Sequence, residues 1–179
     1  MKYIVMVLLL ITTQSFAAPH PATSSSFLIG MNSGRFISQY GFVLNAANTH
    51  WIHQRTPRDI KNIETVYAAP KTNNGVQPSL TVRVDELTSN STMKDYVSKW
   101  VNDYPRLGFD ILASKKVKVG PYLAQMIDFV HNDTQKQLRQ VIFVKDQKAV
   151  IFTCRDYKQT FLETLKSCNE IVRTFHWTI

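Results

Sequence analysis

The sequence predicts an α+β domain in which two main helices cover an antiparallel sheet that ends in a meander. Most of the chain after residue 35 consists of short segments in which apolar and polar residues alternate, which is the period of a strand. Two segments carry apolar residues at helical spacing instead, one in the middle of the chain and one at its C-terminal end. Strands interrupted by so few helices are typical of a sheet whose faces the helices cover.

The N-terminus has the composition of a bacterial signal peptide over residues 1–17. Lys2 precedes an apolar run that is too short to span a membrane, which takes roughly 20 residues. Small residues then fit a signal-peptidase site, so we expect cleavage between Ala17 and Ala18. Residues 18–34 predict a flexible leader, and residues 35–179 a single domain, because no repeat or linker interrupts them. The mature protein is expected to be exported and soluble, either periplasmic or secreted.

The predicted sheet begins with four short segments that are rich in aromatic and β-branched residues and are bounded by Gly, Pro or Asn. The fourth alternates most clearly, since Leu80, Val82 and Val84 point to one face and the polar residues between them to the other. The four predicted strands are residues 35–45, 49–54, 63–70 and 79–87.

A helix is predicted after the fourth strand, because its apolar residues fall on one continuous stripe. Thr92 and Asp95 have the spacing of a capping box at its start, and Pro105 and Gly108 end it. Such a bulky stripe is expected to cover the sheet rather than to bind a ligand. It consists of Met93, Tyr96, Val97, Trp100, Val101 and Tyr104.

The second half of the chain predicts an antiparallel meander followed by a helix. Short connections, among them Gly120-Pro121 and Asp146-Gln147, separate four segments with strand patterns. These predicted strands are residues 109–120, 122–131, 137–145 and 148–154. The final helix has Asp156 as its predicted cap. Its predicted buried stripe is Phe161, Leu165, Cys168, Val172 and Phe175.

Several short motifs follow one another in a fixed order. YGF at 40–42 precedes Trp51, the unit SLTVRVDEL then leads into MKDYVSKWV, a glycine turn lies at 119–124, and IVRTF at 171–175 closes the chain. In this order the motifs resemble those of the PsbP-like and DcrB-like proteins, whose fold is also shared by a Ran-binding nuclear transport factor. The resemblance covers residues 35–177.

The resemblance implies an α/β/α sandwich and a non-enzymatic role. Partners differ among the members, which include photosystem components, secretion-linked chaperones and envelope proteins. The motifs are packing signals, so they carry no functional residue over to this chain. The chain departs from the pattern at Pro121, where the family often has a second glycine.

No segment has the spacing of a catalytic, metal-binding or cofactor-binding motif. His50 and His53 would point to opposite faces of a strand and therefore could not share a metal ion. We predict no catalytic residue, no metal ligand, no cofactor and no enzymatic activity. The alternative is an enzyme whose site is assembled from dispersed residues such as Asp128, His131 or Cys154.

The formal charge of +8 is spread along the chain, and its densest basic group lies in SKKVKV at 114–119. An exported protein rarely meets nucleic acid, so a basic surface points to anionic membranes or acidic proteins. We predict a binding protein of the bacterial envelope that contacts a protein, a lipid surface or a small ligand, with Lys115, Lys116 and Lys118 as candidate contacts. A secretion-linked chaperone for hydrophobic segments is a further alternative, and it would expose a large apolar patch.

The sequence contains two cysteines, Cys154 and Cys168, and gives arguments both for and against a disulfide between them. Export to an oxidising compartment and an even number of cysteines favour a disulfide. Idealised geometry opposes it, because a helix that starts near Tyr157 carries Cys168 about 16 Å along its axis. A helix that starts near Thr160, or one that crosses the strand obliquely, would restore the Cα distance of roughly 7 Å or less that a disulfide needs. We predict the disulfide, with a contribution of roughly 3 kcal/mol.

Overall fold

The computed structural model describes residues 34–54, 56, 62–70 and 76–178. The signal peptide and the leader up to residue 33 lie outside the described residues, so both stay predictions. Within the described ranges the chain forms ten β-strands, two α-helices and one 3-10 helix. The predicted α+β class and antiparallel sheet are confirmed. No helix in this part of the chain is long and apolar enough to cross a membrane.

The bounds of the elements agree with most of the predicted segments. The predicted first strand is in fact a hairpin, because Gly41 reverses the chain with a left-handed φ of 81°. The helices are α1 (Met93–Asp103), which continues into a 3-10 helix (Tyr104–Leu107), and α2 (Phe161–Arg173). The strands are β1 (Arg35–Ser38), β2 (Phe42–Asn45), β3 (Ile52–Gln54), β4 (Ile63–Ala68), β5 (Ser79–Glu86), β6 (Phe109–Val119), β7 (Tyr122–His131), β8 (Lys136–Lys145), β9 (Lys148–Tyr157) and β10 (His176–Trp177).

Seven strands form one antiparallel sheet in the order β3-β4-β5-β9-β8-β7-β6. The predicted meander is its β6 to β9 part, and its last turn has positive φ at both Asp146 and Gln147, as a two-residue hairpin requires. β5 pairs with β9 on the other side, with Leu80 opposite Cys154. β1, β2 and β10 form a separate three-stranded sheet.

The helix α2 and the small sheet cover one face of the large sheet. Val82 and Val84 alternate onto this face as predicted and are 0% and 3% exposed. They belong to the larger apolar cluster, in which the rings of Phe143 and Phe175 stack with centroids 4.3 Å apart. The core therefore lies mainly between the large sheet and α2.

The helix α1 packs on the opposite face, which gives the predicted sandwich of helix, sheet and helix. Its apolar stripe lies in a second cluster with Ile127, Phe129, Ile142 and Ile151 of β7 to β9. The eleven residues of α1 extend only about 16 Å. Neither of the two helices in the described ranges therefore covers the same face of β4 and of much of β5.

A β-bulge in β6 determines which hairpin residues face α1. The register of β6 against β7 shifts between Ile111 and Ala113. Ile111 consequently packs in the cluster under α1, whereas Val117 and Val119 pack on the α2 side of the sheet. Residues 116 and 118, which alternate with these valines, point to the α1 side.

Side-chain hydrogen bonds lie at the start of each helix. The predicted capping box of α1 is present, and the Thr92 N–H donates to the Asp95 carboxylate at 3.0 Å. The prediction that Asp156 caps α2 is wrong, because Thr160 occupies that position. The buried Asp156 carboxylate instead accepts hydrogen bonds from the hydroxyls of Thr160 and Thr164, at 2.8 and 2.5 Å.

Candidate binding sites

The predicted disulfide between Cys154 and Cys168 is present, with a Cα–Cα distance of 6.1 Å. It forms because α2 begins at Phe161, late enough for Cys168 to lie beside the end of β9. Both cysteines are buried, at 2% and 1% exposure. The bridge therefore joins the sheet to the helix as a structural element, and Cys154 has no free thiol.

The dispersed residues of the enzyme alternative are not brought together. Asp128 is buried on β7 and accepts two hydrogen bonds from Arg139, at 2.6 and 2.7 Å. His131 points to the other face of the sheet, where its ring meets Phe109 edge-on at 4.8 Å. Cys154 lies in the disulfide. These three side chains therefore do not form a common site.

The two histidines considered as metal ligands also have separate environments. The ring of His53 packs against Phe36 and Tyr67, with centroid distances of 6.2 and 5.5 Å. Burial lowers the pKa of His53, which keeps the ring neutral at pH 7. His50 is exposed. In the part of the chain that the structure describes, no group of three or more His, Cys, Asp or Glu side chains has the arrangement of a metal site.

Two grooves flank α1, and the first contains part of the predicted lysine group. This lysine groove lies between the start of α1, the turn end of the β6–β7 hairpin and the end of β8, and its volume is about 1180 Å³. Its apolar surface comes from both the helix and the sheet. The lining includes Met93, Lys94, Val97, Lys116, Leu123 and Val144.

An exposed leucine among lysines distinguishes the lysine groove. Leu123 is 71% exposed and lies opposite Lys118 in the hairpin. Lys116 is opposite Gln125 on the same face, and Lys94 extends from α1. The described residues that line the groove include no Asp or Glu. The groove thus combines an apolar floor with a positively charged rim.

The three predicted lysines do not share one surface. Lys116 and Lys118 lie on the α1 side, as the alternation indicated. Lys115 lies opposite Met126, whose side chain belongs to the core on the α2 side. Lys116 therefore lines the lysine groove, Lys118 lies beside it on the same face opposite Leu123, and Lys115 faces away.

The second groove, the polar cleft, lies where α1 leaves the sheet uncovered, and its volume is about 1280 Å³. Its floor consists of side chains that pair across β4, β5, β9 and β8. The first row is Val66, Thr81, Thr153 and Gln140, and the second is Ala68, Ser79, Arg155 and Leu138.

An arginine network forms the boundary between the polar cleft and α1. The Arg83 guanidinium donates to Asp85 at 2.9 Å and to the Tyr96 hydroxyl at 3.2 Å, and it lies 5.1 Å from the centre of the Trp100 ring. Burial alone would lower the pKa of Arg83, but its hydrogen bonds and charge contacts with Tyr96 and Asp85 outweigh burial and raise it. Burial, followed by the hydrogen bond to Asp85, raises the pKa of Tyr96. The Asp85 charge is therefore compensated within the network.

A hydrogen-bond relay reaches the floor of the polar cleft from beneath the helix. The Tyr104 hydroxyl donates to Gln140 Oε1 at 2.5 Å, and Gln140 Nε2 donates to Thr153 Oγ1 at 3.2 Å. Burial raises the pKa of Tyr104 to about 12, so the phenol keeps its proton at neutral pH. Because Thr153 Oγ1 accepts from Gln140, its own proton is available to a partner in the cleft.

Arg155 and Leu123 are two site residues that the sequence pattern did not indicate. The predicted strand ended at Cys154, whereas β9 continues to Tyr157 and places Arg155 on the sheet. Exposed and buried residues still alternate in this part of β9. The buried residue after Arg155 is Asp156, however, and a charged residue at a buried position does not fit the apolar alternation of a strand. Leu123 fits a strand pattern, and its exposure depends on how α1 lies over the hairpin.

No protein-family model and no curated protein matches the sequence. Solved structures do match. The solution structure of cyanobacterial PsbP (CyanoP) from Synechocystis sp. PCC 6803 has a TM-score of 0.57 and 11% identity, over 80% of this chain and 91% of that chain. A Pseudomonas aeruginosa protein of unknown function, described as a putative regulator, has a TM-score of 0.56 and 14% identity, over 70% and 96%.

A third similar structure is LpqN, which is involved in cell envelope biogenesis of Mycobacterium tuberculosis. It has a TM-score of 0.53 and 8% identity, over 74% of this chain and 94% of that chain. At these identities the likeness concerns the fold, and the sharing of this fold with a Ran-binding transport factor stays a prediction. The resemblance that the motifs indicated is confirmed at that level: the chain has a PsbP-like fold.

Proposed function

We propose that this protein is a non-enzymatic binding protein of the bacterial envelope that docks on anionic membrane surfaces through the lysine groove. The observation that carries the proposal is Leu123, which is 71% exposed on the same face as Lys116 and Lys118. An exposed apolar side chain among cations suits a bilayer surface, where anionic headgroups lie directly above hydrocarbon.

Two observations support a location in the envelope. The disulfide between Cys154 and Cys168 fits an oxidising compartment, as does the predicted signal peptide. LpqN, one of the structures with the same fold, is described as involved in cell envelope biogenesis. That second support is an analogy of fold.

The expected affinity for a membrane is modest. A lysine near an anionic surface contributes about 1 kcal/mol, so Lys94, Lys116 and Lys118 together supply about 3 kcal/mol. Burial of the Leu123 side chain in the bilayer adds about 2 kcal/mol. A total of about 5 kcal/mol corresponds to a dissociation constant between about 0.1 and 1 mM. Docking is therefore reversible and sensitive to salt.

The chaperone alternative receives less support, because it needs a contiguous apolar patch. The large apolar side chains that are exposed in the described ranges are distributed over six different elements. They are Ile37, Ile52, Leu107, Leu112, Leu123 and Leu162. This distribution favours docking through a single exposed side chain, as proposed for Leu123, over a chaperone surface that binds unfolded segments.

Co-sedimentation with vesicles tests the proposal. The protein is expected to bind vesicles that contain phosphatidylglycerol at low salt and to be released at high salt, because the contact is largely electrostatic. The double variant Lys116→Gln/Lys118→Gln is expected to bind about thirtyfold more weakly, from the loss of about 2 kcal/mol.

Lys115→Gln is the control on the same strand, since it removes one lysine charge from the other face of the sheet where the double variant removes two. We expect it to weaken vesicle binding less than about threefold, because Lys115 points away from the docked face, with the sheet between its charge and the membrane. Equal losses in the control and in the double variant would contradict docking through the lysine groove. So would a wild-type protein that stays in the supernatant at low salt.

A further inference from the structure

The polar cleft contains an arginine that none of the described acidic residues neutralises. Arg155 is exposed on the cleft floor, between Ser79 of β5 and Leu138 of β8. Among the described residues it takes part in no salt bridge. A guanidinium in an open cleft is well suited to bind a carboxylate or a phosphate with two parallel hydrogen bonds.

The acidic residues that line the same cleft are not available to Arg155. Asp85 is held by Arg83 and Tyr96, and Asp95 is held in the capping box of α1. Glu86 lies at the other end of β5, roughly 23 Å from Ser79 along the strand. Among the described residues, therefore, no carboxylate occupies the Arg155 guanidinium, and its charge can bind an anion from outside.

A second donor lies beside Arg155. Thr153 precedes it by two residues on β9, so both side chains point into the cleft. The relay from Tyr104 through Gln140 ends on the Thr153 oxygen and leaves the Thr153 proton to donate. One ligand anion can accept from the guanidinium and from this hydroxyl at the same time.

The surroundings of this pair are polar and uncharged. Ser79 and Thr81 offer hydroxyl groups on the neighbouring strand β5, and the Gln54 amide lies at the edge of the first row. Such groups both donate and accept, which matches the hydroxyls of a sugar. The apolar part of the floor near Arg155, Ala68 with Leu138, is too small to hold an acyl chain.

We propose that the polar cleft binds a sugar that carries a carboxylate or a phosphate, with Arg155 and Thr153 as the contacts of its anionic group. The cleft volume of about 1280 Å³ exceeds the range of ordinary small-molecule pockets and leaves room for more than one sugar ring. This site is separate from the lysine groove, so the inference does not depend on membrane docking.

Titration followed by amide chemical shifts tests the inference, with glucuronate, glucose 6-phosphate and glucose as probes. We expect at least one of the two anionic sugars to bind at millimolar concentrations and to shift amides of β5 and β9. Glucose should bind at least about tenfold more weakly, since it lacks the charge-assisted hydrogen bonds. The stronger of the two anionic probes then identifies carboxylate or phosphate as the preferred group.

Two arginine variants provide the matched comparison. Arg155→Gln is expected to lose about ten- to a hundredfold in affinity for the anionic sugar. Arg106→Gln, at an exposed position of the 3-10 helix outside the cleft, should bind as the wild type does. The inference is overturned if neither anionic sugar binds, if glucose binds equally well, or if Arg155→Gln keeps its affinity. The inference is also overturned if Lys116→Gln/Lys118→Gln loses the affinity for the anionic sugar and Arg155→Gln does not.

Discussion

Arg139→Met is expected to lower the free energy of unfolding by about 3–5 kcal/mol, because it leaves the Asp128 carboxylate buried without its counter-ion. The two side chains are only 21% and 12% exposed, and two short hydrogen bonds join them across β7 and β8. Asp128→Leu should cost a similar amount, since the guanidinium then loses its partner. Urea unfolding followed by circular dichroism measures both.

The double variant Asp128→Leu/Arg139→Met distinguishes a lost charge pair from lost packing. It removes both charges and should lower the free energy of unfolding by much less than the sum of the two single variants, because no buried charge is left unpaired. Arg173→Met is the control on an ion pair at the surface, with Glu170, whose side chains are 69% and 47% exposed, and it should cost less than about 1 kcal/mol. Single-variant costs that simply add in the double variant would contradict the assignment.

Cys154→Ala/Cys168→Ala is expected to lower the free energy of unfolding by about 3 kcal/mol. The bridge closes a short loop, with a sequence separation of 14, and it restricts the unfolded chain between β9 and α2. Reduction of the wild-type protein should have a similar effect, because it opens the same loop. Urea unfolding with and without reductant gives both values.

The double cysteine variant is also the control for the reductant, which should leave its stability unchanged. A thiol assay on denatured, unreduced protein should detect no free thiol from Cys154 or Cys168. Two reactive thiols in that assay, or a wild-type stability that reductant does not alter, would show that the bridge is absent.

Much of the fold could be predicted because its signals are local. The alternation of Leu80, Val82 and Val84 and the capping box of Thr92 with Asp95 each involve neighbours in sequence, and the structure confirms both. The three-stranded sheet could not be predicted, because β10 pairs with β2 across most of the chain. Short strands of that kind depend on tertiary contacts rather than on their own pattern.

For the candidate sites too, features set by neighbours in sequence could be predicted, and features set by tertiary packing could not. That residues 116 and 118 share a face follows from strand geometry alone. That Leu123 stays exposed beside Lys94 depends on where the short helix α1 begins on the sheet. Arg155 was missed for another reason, because the buried Asp156 interrupts the apolar pattern. The hydrogen bonds that its carboxylate accepts from the Thr160 and Thr164 hydroxyls and from the Tyr157 N–H explain how it lies in the core.

Hydrogen exchange of the protein with and without phosphatidylglycerol vesicles tests membrane docking through the lysine groove most directly. β6 is an edge strand, so part of its backbone is open to solvent and its exchange can respond to a bound surface. We predict slower exchange over residues 116–125 and in the first turn of α1, and unchanged exchange in α2 on the opposite face. Protection of α2 instead, or no protection in the hairpin at a vesicle concentration that sediments the protein, would contradict the proposed docking surface.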